Sequence, residues 1–522
     1  MKTISKIILH NFRRFTELEI DFNPTMNILI GDNESGKSSV LLAIDLLSCG
    51  SRYKVEEIGL EKLFNTQVIN EYMQGDRKIE NLPKLEIEIY FPEQNNEFLF
   101  GRNNSKQIES DGLRMQCKPM TEYSEQTQRA LSNQNASFPF EFYGIYFETF
   151  AGHLYNGYTK QLRSIFIDHT KNYSTYSMSE YIKTLYHSKL NIQQRIDIQQ
   201  QYHAHKDEFA KNILSQFNDN ENNYAFSIKN SPNCNIETDL TIIADGITID
   251  NKGMGMQCFI KTTLSLSKVD DNIDIVLLEE PESHLSYTNM LKLISLIDSA
   301  TNRQLFIATH SDLIASRLDL RNCILLNSNS KNHSTLGMIS EDTAKFFIKA
   351  PDKNLLQFIL SEKVILVEGD AEYILMEAMY KNTATKDLID AGISVIAVDG
   401  KCFKRYLEIA KILRIKVAVI TDNDYNYDEH ITNRYAEYMT TECSNIKVFA
   451  DSNNENHTFE VCLYKENKKI CDDLFKSPRR TLEVLEYMLS NKAEAAYNLL
   501  SSKANELITP HYIKEAILWV NA

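Results

Sequence analysis

The chain lacks most of the features that place a protein in a membrane, outside the cell or on a zinc scaffold. No stretch approaches ~18 uninterrupted apolar residues, which argues against a membrane-spanning helix. Met1 to His10 holds neither a long apolar core nor a small-residue cleavage site, so no secretory signal is expected. The nine cysteines are scattered, odd in number and free of any C-x-x-C pair. That pattern suits reduced thiols in a cytoplasmic protein and leaves no zinc motif. Internal repeats and low-complexity tracts are missing too. Positive charge is short: 56 Lys and Arg stand against 71 Asp and Glu, a net charge of −15. Such a balance argues against a general nucleic-acid coat protein. It leaves room for a nuclease, because bound metal ions reverse the sign of an acidic site. What remains is a 522-residue chain with an ordinary 43% apolar content. It is too long for one core, so two to four domains are expected.

Two acidic clusters stand out in the last third. Val364 to Val367 is an apolar, β-branched run ending in Glu368-Gly369-Asp370-Ala371-Glu372, and Val417 to Ile420 ends in Thr421-Asp422-Asn423-Asp424. Buried strands that end in acids are how parallel α/β sheets present metal ligands. Two such edges side by side would make an oxygen-rich site for Mg²⁺ or Mn²⁺. Glu368 and Glu372, four apart across a strand-to-helix turn, are expected to face one metal. Asp422 and Asp424, two apart on an extended segment, are expected to point the same way. Asp370 is expected to point outward. A generic α/β domain with acids capping its helices would explain part of this pattern, but not both clusters in order.

The N-terminal third carries nucleotide chemistry. Met26 to Ile30 reads as a short strand leading into Gly31-x-x-x-x-Gly36-Lys37-Ser38 and then a helical pattern from Val40 to Leu47. In a phosphate loop, backbone N–H groups close around the phosphates, Lys37 reaches the β/γ oxygens and the Ser38 hydroxyl ligates Mg²⁺. Asn33, Gly36 and Ser39 complete the expected ATP contacts. Asp274 to Glu282 reads as a buried strand ending in Glu279 and Glu280. Glu279 is expected to hold Mg²⁺ and Glu280 to orient the attacking water. Glu279 stands where Asp is common. Leu305 to Ser311 reads as a third strand, with His310 placed for the γ-phosphate. Gly253 and Gly255, followed by Gln257, precede a helix from Cys258 to Leu266 and could contact a second nucleotide across a dimer; a G-x-G alone is a weak signal.

Ile4 to Phe22 reads as two antiparallel strands around Asn11-Phe12-Arg13-Arg14-Phe15, and Leu85 to Phe91 as another strand. Residues 92–140 read as polar loop. Leu154 to Phe217 shows helical spacing and no strong strand, which suggests a helical insertion, over about 152–235, able to pair with another copy; a solvated helical lid is the competing reading. Strand-like text returns at Leu240 to Ile249 and at Cys323 to Leu326, followed by a polar stretch from Asn327 to Thr335. Pro510 to Ile517 reads as a packing helix.

The order of phosphate loop, glycine turn, LLEEPESHL and THS strand resembles ABC-type ATPases of the SMC/Rad50 kind, in which two heads sandwich ATP. The chain lacks their long coiled-coil arm. Glu368-Gly369 with Asp422-x-Asp424 resembles the two signatures of a Toprim domain. Together they resemble the OLD (overcoming lysogenisation defect) nucleases. The fold class this implies is α/β: an ABC/SMC-like ATPase head with helical insertion over 1–345, then a Toprim domain with C-terminal helices over 346–522. The resemblance further implies Glu460, in His457-Thr458-Phe459-Glu460, as a metal ligand, and Lys492 as a stabiliser of charge on the phosphate. It implies a metal-dependent DNA endonuclease regulated by an ATPase dimer or higher oligomer, with an antiphage role as in Gabija-type and retron-associated nucleases. Partners would then include DNA and a UvrD-like helicase, or a reverse transcriptase with its DNA product. The competing readings are a DNA-repair ATPase whose Toprim site nicks or only binds, and a sensor scaffold with inactive sites.

Overall fold

The computed structural model describes residues 2–92, 95–133, 137–157, 159–168, 181–217 apart from 184 and 188, 226–229, 235–266, 273–300, 302–327, 333–350, 354–384, 386–398, 400, 402–476 and 482–522. They form two compact units, Met1–His310 with Ile324–His333, and Ser311–Cys323 with Ser334–Ala522. Much of 152–235, and residues 328–332 of the polar stretch, lie outside the described residues.

In the first unit, Lys6–Phe12 and Phe15–Asp21 pair antiparallel, and Leu85–Tyr90, Ser110–Pro119 and Tyr143–Thr149 extend the sheet. A second sheet places Met26–Ile30, Gln304–Ala308, Ile275–Glu279 and Ser164–Asp168 side by side, all parallel. The helix Lys37–Cys49 touches strands of both sheets. Val40 to Ser48 are all buried, with Asp45 paired to Lys54 at 2.8 Å and the Ser48 hydroxyl on the Ile44 carbonyl. This arrangement holds the phosphate loop rigidly at one end of a packed core.

Two expectations need correction here. The segment read as helical insertion contains the strand Ser164–Asp168, which pairs in register with Ile275–Glu279. Residues 92–140 are not all loop, since Ser110–Pro119 is an interior strand whose Leu113, Met115 and Cys117 face the core. The helical spacing from Ile192 does form a helix, Ile192–Asn212, with no buried residue. Leu240 to Ile249 yields only a small hairpin, Ile243–Ala244 with Ile247–Thr248.

In the second unit a four-stranded parallel sheet runs Ile393–Ala397, Lys363–Val367, Lys416–Ile420, Ile446–Phe449. Val364 to Val367 and Val417 to Ile420 are buried, which explains why both strands read as unbroken apolar runs. Helices Asp370–Thr383 and His511–Asn521 pack on this sheet, and Lys492–Lys503 packs on Asp370–Thr383, in one core with Leu375, Met379, Leu499, Ile513 and Ile517. Parallel pairing puts the C-terminal ends of Lys363–Val367 and Lys416–Ile420 on the same edge, one residue short of Glu368 and of Thr421.

Candidate nucleotide and metal sites

A cleft in the first unit is lined by Asn33, Gly36, Lys37, Ser38, Ser39, Glu279, Glu280 and His310. Eight of the expected ATP-site residues therefore meet. Gly36 has φ +98°, and a Cβ there would stand 2.3 Å from the Phe15 ring, so the loop needs glycine at this point. The Lys37 ammonium donates to the Gly31 and Asp32 carbonyls at 2.8 and 2.9 Å. Burial lowers its pKa to about 8 against the pull of Asp32, Glu280 and Glu279. Glu279 is buried at the strand end. Glu280 takes a left-handed φ of +46°, with its N–H on the Ala308 carbonyl at 2.8 Å. His310 follows the neighbouring strand, and burial and Lys37 lower its pKa.

Sequence reasoning assigned no role to three residues that bear on this site: Arg13 and Arg14, which line the cleft, and Glu282, which lies beside it. Arg14 donates to the Glu34 carbonyl; the tandem position of the two arginines in the turn between two strands was the available signal. Glu282 is the third. Its Oε1 accepts the Thr309 hydroxyl at 2.7 Å and the His310 N–H at 2.9 Å, and burial raises its pKa. It thus fixes the strand end that carries His310.

Gly253, Gly255 and Gln257 do not line the cleft. They open the helix Met254–Leu266 and its preceding turn. A Cβ on Gly255 would stand 2.1 Å from the His284 carbonyl oxygen, so close packing accounts for this glycine. Gln257 donates to the Lys252 carbonyl at 2.8 Å.

The second site lies at the C-terminal edge of the four-stranded sheet. Glu368 Oε2 accepts the Thr421 hydroxyl at 3.0 Å and the Asp422 N–H at 3.4 Å. These two bonds tie the adjacent strand ends together. Asp422 Oδ1 accepts the Phe459 N–H at 2.8 Å, at the start of the helix Phe459–Glu466. Glu460 on that helix is 3% exposed. Lys492, the first residue of its own helix, places Nζ 3.0 Å from Glu460 Oε2. Glu372, in the first turn of Asp370–Thr383, is buried as well.

These groups also act on one another's ionisation. Burial raises Asp422 to about 8, aided by Glu368, Glu372 and Glu460. Burial likewise raises Glu372 to about 7, aided by Glu460 and Glu368. Lys492 is lowered by burial but raised more by Glu460, Asp422 and Glu372, and the net direction is up. Buried carboxylates pressed together in this way cannot all ionise without positive charge. One lysine does not balance four acids. The donor set, all hard oxygen, fits a divalent ion of the Mg²⁺ or Mn²⁺ class. Among the described residues, no three such side chains already close on one point, so the fit is one of donor type and burial.

Asp424 is the exception to the expected geometry. It has φ +47° instead of an extended conformation. Its N–H donates to the His457 carbonyl at 3.3 Å. The side chain is exposed and does not figure among the groups that perturb Asp422. The structure therefore gathers Glu368, Glu372, Asp422, Glu460 and Lys492, and leaves Asp424 outside that group. Asp370 is exposed, as expected.

Two stretches of the chain match known domain families. Residues 1–218 match the AAA ATPase domain. Residues 359–424 match the Toprim domain of overcoming lysogenization defect protein-like proteins. The chain is 29% identical over 163 residues to endonuclease GajA of Bacillus cereus (strain VD045), covering 31% of this chain and 28% of GajA. It is 27% identical over 183 residues to the Old nuclease of Escherichia phage P2, covering 33% of this chain and 31% of that protein. It is 45% identical over 51 residues to the DNA replication and repair protein RecF of Haemophilus influenzae (strain ATCC 51907 / DSM 11121 / KW20 / Rd), covering 10% of this chain and 14% of RecF. The matched stretches thus span less than a third of the two nucleases. The molecule is a mixed α/β protein with an ATPase domain followed by an OLD-like Toprim domain. No helix among the described residues is long and apolar enough to cross a membrane.

Proposed function

We propose that this chain is a metal-dependent DNA endonuclease of the OLD type, cutting at the Toprim edge under control of its ATPase domain. The observation that carries this reading is the gathering of four acids and one lysine from four separate stretches of sequence, with Asp422 and Glu372 held partly protonated near neutrality. Purely structural acids are seldom stored in that state, because each costs desolvation.

Glu368, Glu372, Asp422 and Glu460 would hold the ions, Mg²⁺ or Mn²⁺. Bound there, the ions would polarise a water and neutralise the phosphodiester. Lys492 restrains Glu460 and would offer its remaining protons to the non-bridging phosphate oxygens. Thr421 and the Asp422 N–H hold Glu368 in one orientation. Asp424 would join only by rotating out of its present left-handed backbone. In the ATPase domain, the loop N–H groups with Asn33, Ser39 and Lys37 would hold the phosphates. Ser38 and Glu279 would hold Mg²⁺, Glu280 would orient the attacking water, and His310, fixed by Glu282, would face the γ-phosphate. Gly253, Gly255 and Gln257 would meet a nucleotide only from a second copy, which makes a dimer or larger homo-oligomer part of the proposal. The domain boundary near 345/346, a cytoplasmic location and an antiphage role follow from the same reading. So does a defence partner such as a helicase or a reverse transcriptase with its DNA product.

The test is cleavage of plasmid DNA with Mg²⁺ or Mn²⁺, with and without ATP. Glu368→Ala and Lys492→Ala should each lose on the order of 100-fold or more. Lys37→Ala should lose ATP turnover and nucleotide control while keeping the metal site. Equal degradation by wild type and Glu368→Ala would overturn the assignment. The match to RecF favours a second reading, a repair-type ATPase whose Toprim site only nicks or binds. Under that reading, Lys37→Ala abolishes DNA processing altogether.

A further inference from the structure

The turn after Asp422 carries two consecutive residues in the left-handed region, Asp424 at φ +47° and Tyr425 at φ +68°. For a bulky aromatic residue this is an outlier, and it persists only where its surroundings over-determine it. Here the determinant is Asn423, 1% exposed. Its amide donates to the carbonyls of Asp451, Asn453 and Asn456 at 2.7, 3.0 and 3.3 Å. Its Oδ1 accepts the Tyr425 N–H at 3.0 Å. Burial of the ring does not repay the strain, since Tyr425 is 66% exposed.

One face of the Tyr425 ring lies on the His457 imidazole, centroids 3.8 Å apart and planes 15° from parallel. His457 Nδ1 is buried without a hydrogen-bond partner, so this imidazole serves as a flat surface. Both rings are tied to the acidic edge. Asp424 N–H binds the His457 carbonyl, and Phe459, two residues beyond His457, donates to Asp422.

We propose that Tyr425, seated on His457, is a stacking platform for an unpaired nucleobase beside the phosphodiester held at the acidic edge. The proposal rests on the nuclease reading above and adds a substrate class to it. An exposed aromatic face in the turn that directly follows Asp422 and Asp424 offers no positive charge to phosphate but accepts a neutral base. Every base has a π-face, so such a platform selects unpaired nucleotides rather than a sequence. In intact duplex the base faces are hidden unless a nucleotide is flipped out.

The test reads binding without cleavage. The probe is a short single-stranded oligonucleotide with a nuclease-resistant phosphorothioate backbone and one 2-aminopurine, titrated into the full chain with Mg²⁺. Wild type should quench the base. Tyr425→Phe should bind within about twofold. Tyr425→Ala should bind ~5- to ~100-fold more weakly. Tyr425→Gly should lose binding like Tyr425→Ala yet match or exceed wild type in melting temperature, because glycine relieves the left-handed strain. An unlabelled competitor strand lacking the base at that position should bind wild type more weakly by the same factor and Tyr425→Ala no further. Equal binding by wild type and Tyr425→Ala overturns the platform, as does an equal loss on intact duplex. Absence of metal-dependent cutting by wild type would instead overturn the nuclease reading and leave the stacking result standing.

Discussion

Among single residues, Asp422 and Glu372 make the most specific claim, because their ionisation is set by one another's neighbourhood. Both folded-state pKa values, about 8 and about 7, lie well above the ordinary carboxylate range. The folded protein therefore holds protons that the unfolded chain has released. The stability these groups contribute is full below about pH 4 and is lost as pH rises towards 7–8. Metal-free protein should accordingly melt at lower temperature at pH 8 than at pH 6. Added Mn²⁺ should reverse the trend, since ligand carboxylates bind ions only when deprotonated. Thermal scans at the two pH values, with and without Mn²⁺, check this. Asp422→Asn with Glu372→Gln should flatten the pH dependence and abolish the Mn²⁺ shift; a pH trend unchanged in that variant would show that other groups carry it. Glu282 makes a quieter claim. Its two bonds to Thr309 and His310 were invisible in sequence, where it reads as one more acid in a turn.

At the level of elements, legibility followed the range of the signal. The phosphate loop, the strands Lys363–Val367 and Lys416–Ile420, and the helix Lys37–Cys49 were readable, because their apolar runs and glycines are local. The strand Ser164–Asp168 was not. It is five residues long, begins and ends on polar residues, and gains its place from Ile275–Glu279, more than a hundred positions away. Tertiary pairing overrides weak local propensity in such cases. Ser110–Pro119 was missed because Gly112 and polar neighbours mask its alternation. The helix Met254–Leu266 offers a direct check on why a glycine stands at its start. Gly255→Ala would drive Cβ against the His284 backbone, whereas Gly253 has nothing within 4 Å. Gly255→Ala should destabilise by about 1–3 kcal/mol, and Gly253→Ala should stay within about 0.5 kcal/mol, both by denaturant titration. If Gly253→Ala proves silent in stability but impairs ATP turnover, a nucleotide contact through this turn gains its first support.

For the whole molecule, the acidic site was legible as a list of residues and illegible as a geometry. The backbone turn that sends Asp424 away depends on Asn423 bonding three carbonyls twenty-eight to thirty-three positions ahead, and no periodic pattern records that. What the sequence order does convey is that two ligand sites sit in two compact units, each with its own core. A ligand bound only by the folded state stabilises it by about 2.7 kcal/mol at a hundredfold excess over Kd. ATP and Mn²⁺ should therefore leave separable marks on unfolding. Calorimetry of wild type should show an upward shift with a non-hydrolysable ATP analogue that Lys37→Ala abolishes and Asp422→Asn retains. The Mn²⁺ shift, measured without nucleotide, should behave in the opposite way. If either variant removes both shifts, the two sites are energetically coupled.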